Sequence, residues 1–103
     1  MLKIVLYCDA KSRKLIEPEL TDYMTKNNIG YEIYHVDGAS KFLSNYFFEK
    51  DFQLLLIYKN NSLQYILKTY HNHDKKYMDT VSGTLKLPLI PIQLNYYQVL
   101  PYL

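Results

Sequence analysis

The chain has 103 residues, 49% of them apolar and 21% charged, with a formal net charge of +2. That length makes one domain with a real core, the composition excludes disorder, and the charge is too small to announce a nucleic-acid partner. The single cysteine, Cys8, excludes an internal disulfide and any Cys-x-x-Cys pair, which fits a reducing compartment.

Twelve Tyr and four Phe without any Trp place amphipathic rings throughout the core and the surface near it. No apolar stretch reaches the ~18 to 20 residues of a membrane span. MLKIVLY, followed by Cys-Asp, lacks the long apolar region and small-residue cleavage site of a signal peptide. A soluble, cytoplasmic protein with no membrane contact is the expectation.

LKIVLYC, from Leu2 to Cys8, is rich in β-branched and aromatic residues and predicts an opening strand near the middle of a sheet. The polar DAKSRK that follows lies at the strand's carboxyl end, where α/β folds keep their sites. From Ser12 the spacing becomes helical, with Leu15, Ile16, Leu20, Tyr23 and Met24 on one face. Pro18 falls inside that pattern, so either the helix starts late or a longer helix bends there. Asn27, Asn28 and Gly30 end it.

YEIYHV, from Tyr31 to Val36, reads as a second strand closed by an Asp37-Gly38 turn. Ser40 to Lys50 carries Phe42, Leu43, Tyr46 and Phe47 at helical spacing. FQLLLIYKNN follows, and its continuous apolar run from Leu54 to Tyr58 suits a central strand covered on both faces. Strand-helix-strand alternation to this point implies parallel neighbours.

Asn60-Asn61 then links two β-prone runs, a hairpin signal because Asn tolerates the left-handed conformations of such turns. SLQYILKTY, from Ser62 to Tyr70, is therefore expected to return antiparallel. Asp74 to Val81 reads as a short helix stopped by Ser82-Gly83. Pro88 and Pro91 forbid a regular helix in the apolar tail and confine any strand there to an edge. Residues 85–103 offer more apolar surface than the preceding domain needs. They either wrap the sheet or form an arm for a partner or a second copy of the chain.

FQLLLIYKNNSLQYI resembles the thioredoxin segment that runs from a cis-proline strand through a Lys-Asn-Gly type turn into the returning strand. KLIEPELTDYM resembles the first long thioredoxin helix with its proline kink, and Val36-Asp37 sits where many members end the next strand. The resemblance covers about residues 2 to 81. It implies an α/β, thioredoxin-like mixed sheet in β-α-β-α-β-β-α order, with helices on both faces, over residues 1–84, and a C-terminal extension over 85–103.

Counted back from Pro18, the family's Cys-x-x-Cys falls on Ala10, Lys11, Ser12 and Arg13, which carry no thiol, so dithiol exchange is unavailable. The family's cis-proline falls near Gln53, where a cis bond without proline would cost ~3 kcal/mol, so a trans bond is expected. The function so implied is a non-catalytic interaction module without cofactor. It would meet a protein or an extended peptide at Asp9, Ala10, Lys11, Ser12, Arg13, Phe52 and Gln53. Cys8 is either a small buried hydrophobe or a reactive monothiol activated by Lys11, Arg13 or a helix terminus.

MLKIVLYCDA, YEIYHVDGASKFL, DFQLLLIYK and LIPIQLNYYQVL also resemble the receiver domain of LytTR-type regulators. Cys8 would replace its first acid, Asp9 keep the second, Tyr58 replace the phospho-acceptor and Ile90 replace the lysine before Pro91. That implies a regulator working without phosphorylation, and the chain is short of the two further strand-helix units a receiver has. Strand direction separates the readings, since a receiver sheet is all parallel.

His71, His73 and Asp74 read as a solvated loop in preference to a metal site, and Asp9, Asp37 and Asp51 as caps or turn residues. Tyr58, Lys59, Tyr65, Lys68, Tyr70, Lys75, Lys76 and Tyr77 interleave rings and lysines as a single-stranded nucleic-acid platform would. An edge hairpin whose lysines discourage aggregation explains them better.

Overall fold

A computed structural model describes residues 2–37, 52–69, 75–92 and 96–103. The predicted helix over Ser40 to Lys50, the loop His71–Asp74, and Asp51 lie outside the described residues. Five strands form one mixed sheet: β1 (Leu2–Tyr7), β2 (Tyr31–Val36), β3 (Leu54–Lys59), β4 (Ser62–Thr69) and β5 (Leu89–Ile92), in the spatial order β2-β1-β3-β4-β5. Described helices are α1 (Ala10–Lys26), α2 (Lys75–Leu85) and the single turn α3 (Tyr96–Val99), which runs into a 3-10 turn at Leu100–Tyr102. The chain is thus a small α/β domain built on a mixed sheet.

β3 is the middle strand, and Leu54, Leu55, Leu56 and Ile57 are fully buried on its alternating faces. Both β1 and β2 run parallel to each other, as the strand-helix-strand alternation predicts, and β1 also pairs parallel with β3, Ile4 opposite Leu54. Asn60 and Asn61 have φ of 52° and 62°, the pair of left-handed residues that a two-residue turn between twisted strands requires. β4 accordingly returns antiparallel to β3.

Helix α1 starts earlier than its apolar periodicity suggested and runs through Pro18 without interruption. Pro18 is exposed, so the hydrogen bond it cannot donate falls on the solvent side, where water replaces it. Ser12, Ile16, Leu20 and Met24, four residues apart, form the buried stripe. Asn28, with φ of 56°, ends the helix, its N–H bonding to the Thr25 carbonyl and that of Ile29 to the Met24 carbonyl. This is a Schellman cap with Asn in the glycine position, and Ile29 and Met24 bury together beneath it.

Ser82-Gly83 does not stop α2, which continues to Leu85 and is closed at Lys86, φ 58°. Val81 is fully buried and Leu85 packs on the same core, so tertiary contact carries the helix past a glycine costing ~1 kcal/mol. β5 then pairs parallel with β4, Ile66 opposite Leu89. It takes the outer edge of the sheet, where the missing N–H of Pro91 is tolerated.

Helices α1 and α2 cover one face, over Ile4, Leu6, Leu54, Leu56 and Ile66. On the other, Val5, Leu55, Ile57 and Leu67 meet Val99, Tyr102 and Leu103 from the tail. Val99 is fully buried, and the Tyr102 ring meets Tyr65 edge-on at 5.0 Å between centroids. Residues 96–103 of this chain therefore pack on its own sheet.

Candidate functional site

Parallel pairing of β1 with β3 brings the carboxyl ends of both strands to one end of the sheet. Cys8, Asp9 and the first turn of α1 meet there with Tyr58 and the Asn60-Asn61 turn. Asp9 has extended backbone and caps α1: its Oδ1 accepts from the Ser12 N–H at 2.7 Å and its Oδ2 from the Ser12 hydroxyl at 2.9 Å. These bonds, the backbone one foremost, hold the Asp9 carboxyl below its usual range.

Ser12 is buried and also touches the Asn61 side-chain amide. Both contacts are to acceptor oxygens, Asp9 Oδ2 and Asn61 Oδ1, so the single hydroxyl proton of Ser12 is shared between them. One short chain of polar groups thereby ties the hairpin tip to the start of α1. Neither Ser12 nor Asn61 stands out in the sequence as a pair, since 49 residues separate them.

Cys8 is 4% exposed, the structural alternative for this residue. Burial raises its thiol pKa first and the Asp9 carboxylate second, while Arg13 pulls the other way more weakly. The thiol form is favoured, opposite to what a reactive monothiol needs. His35 Nε2 lies 2.9 Å from the Cys8 carbonyl, and since a carbonyl only accepts, that nitrogen carries a proton. Tyr58 is pushed up to about 12, by burial first and then by Cys8 and Glu19.

Phe52 and Gln53 belong to the opposite end of the sheet, which corrects the predicted binding face. Gln53 N–H donates to the Lys3 carbonyl at 2.9 Å, and Gln53 Oε1 accepts from Lys3 N–H at 2.8 Å. Asp9 is six residues further along the same strand direction, ~20 Å away. Phe52 is fully buried, and its carbonyl accepts from the Thr69 hydroxyl at 2.9 Å. Both are structural fasteners of β1, β3 and β4. The described peptide bonds, including that of Gln53, are trans.

Ala10 and Arg13 do lie together, on a groove of about 630 Å³ beside α1. Lys14, Glu17, Pro18 and Thr21 continue it along the helix, and His35 of β2 forms its far wall. Arg13 Nε pairs with Glu17 at 2.5 Å, on the helix surface one turn apart. Lys11 is exposed outside the groove. His35 was not among the predicted site residues. Its position, one residue before the end of the strand after the first helix, is the signal that could have found it.

Interleaved rings and lysines do not form one platform: Tyr58 packs on the α1 side of the sheet and Tyr65 on the tail side. Lys59 Nζ lies 5.9 Å above the Tyr65 ring. Among the described residues no three His, Cys, Asp or Glu gather as metal ligands, and no helix is long and apolar enough to cross a membrane. Comparison with protein-family profiles, curated proteins and solved structures finds no match to this chain.

Proposed function

We propose that this chain is a non-catalytic interaction module that receives an extended peptide in the groove between α1 and β2. The observation that carries the reading is the groove itself. It is lined by Ala10, Arg13 and His35 and borders β2, the outer strand among the described residues on that side. An outer strand offers main-chain hydrogen bonds to an added extended segment, and the neighbouring groove offers side-chain recognition. At the same end, the Asp9 carboxylate is committed to capping α1 and the Cys8 thiol is buried. The thioredoxin-like reading is supported by the β1-α1-β2 opening and by the antiparallel β3–β4 hairpin followed by α2. Its peptide-binding surface is restricted to the Asp9–Arg13 end.

A phosphorylation-independent, receiver-like regulator is the alternative reading; the antiparallel return of β4 tells against it, since a receiver sheet is all parallel, and one observation speaks for it. Parallel β1 and β3 bring Cys8, Asp9 and Tyr58 to one end of the sheet, the positions the receiver resemblance assigned to two acids and the phospho-acceptor. On that resemblance the phospho-acceptor position is held by Tyr58, a half-buried phenol with its pKa raised to about 12. In either reading the module binds without chemistry.

A photo-crosslinking amino acid at Lys14 or Thr21, in the groove, and at Glu19, outside it, tests the proposal in the native host. A discrete crosslinked protein at the groove positions, lost on Ala10→Arg, is the expected outcome. Equal labelling at Glu19, or none at either groove position, would overturn it. Incubation with acetyl phosphate and Mg²⁺ separates an active receiver, which gains one phosphoryl group by mass, from both readings.

A further inference from the structure

A second cavity, of about 230 Å³, lies between α1, the hairpin tip and the end of α2. Ile16, Leu20 and Leu85 make its apolar walls. Its polar groups are Tyr23, Tyr58, Asn61 and the Glu19 carboxylate, and no lining residue is a cation. The volume is below the ~300 Å³ at which drug-sized ligand pockets begin, so the space suits a small molecule.

Tyr58 is the unusual member. Its ring is packed on the core, yet its hydroxyl has no hydrogen-bond partner among the described residues. The residue is only partly buried and lines the cavity, so that hydroxyl is available to a ligand there. Glu19 is exposed and likewise forms no ion pair among the described residues. The Glu19 carboxylate makes the field at the Tyr58 oxygen negative, and it contributes to raising the tyrosine's pKa. An anionic ligand would meet that field without a compensating cation.

We infer that this cavity binds a small organic ammonium ion, its hydrocarbon part against Ile16, Leu20 and Leu85 and its N–H groups on the Tyr58 hydroxyl and the Glu19 carboxylate. The faces of Tyr23 and Tyr58 add attraction for the cation. Each unpartnered group at the mouth accepts hydrogen bonds, and an ammonium supplies only donors. A neutral alcohol of the same shape would keep the apolar contacts and lose the charge, and a carboxylate would be repelled.

Titration of the ¹⁵N-labelled chain with 2-phenylethylammonium, 2-phenylethanol and 3-phenylpropionate tests this, read from the amide shifts of Leu20, Tyr58, Asn61 and Leu85. Saturable shifts with the ammonium, about tenfold weaker binding of the alcohol and no saturation with the carboxylate are expected. Glu19→Gln, at an exposed position that leaves the fold intact, should weaken the ammonium about threefold to tenfold and leave the alcohol unchanged. Tyr58→Phe should weaken the ammonium as well. Equal affinity for alcohol and ammonium, indifference to Glu19→Gln, or no saturable shift with any probe would overturn the inference.

Discussion

Ionising Tyr58 should destabilise the native chain by an amount the structure sets. Its pKa rises from 10.0 in the unfolded chain to about 12 in the folded one, chiefly through burial. A rise of two units corresponds to about 2.7 kcal/mol. Because the folded value is the higher one, this contribution is fully present below about pH 10 and is lost as the pH climbs through about 12. Urea unfolding at steps from about pH 9 to about pH 12 measures it, comparing the natural chain with Tyr58→Phe, which has nothing to ionise. Cys8, also raised, is common to both chains and cancels in the difference. The curves should run together below about pH 10 and then separate, Tyr58→Phe remaining the more stable. Parallel curves across the whole range would refute the claim that the Tyr58 hydroxyl is desolvated.

Three further outcomes follow from the same contacts. Ser12→Ala removes the hydroxyl that joins Asp9 to Asn61 and should cost about 1 to 2 kcal/mol in urea unfolding, while Ser12→Thr should recover part of it. Cys8 should react with a thiol-specific reagent at neutral pH far more slowly in the folded chain than in denaturant. Equal rates would revive the monothiol reading. Deleting residues 96–103 uncovers Leu67 and the Tyr65 ring and removes the buried Val99, so the truncated chain should melt at a lower temperature. Unchanged melting with loss of self-association would show instead that the tail serves a partner.

Local chemistry made much of this fold legible in the amino-acid sequence. Asn60-Asn61 predicts the hairpin because few other residues accept two successive left-handed conformations, and both adopt them. Asp9 as a helix cap, α1 through its stripe of apolar residues, and an edge position for any tail strand containing Pro91 follow from bonding rules that act over a few residues. The length of α2 was not legible in the same way. Gly83 argues against the helix locally, and burial of Val81 with the packing of Leu85 outweighs it.

Only the tertiary structure decided which ends of the strands share a site. An apolar run such as LLLIY buries equally well whether it runs up or down beside its neighbour, because side chains alternate across the sheet in both directions. The run itself therefore does not carry its direction; the strand-helix-strand alternation implies parallel pairing, while the thioredoxin resemblance puts Gln53 beside Asp9 and so implies the opposite. Parallel pairing with β1 carries Gln53 to the far end, where it fastens Lys3, and delivers Tyr58 and Asn61 to Asp9 and Ser12. These particular contacts join residues about fifty positions apart, which no local rule reaches.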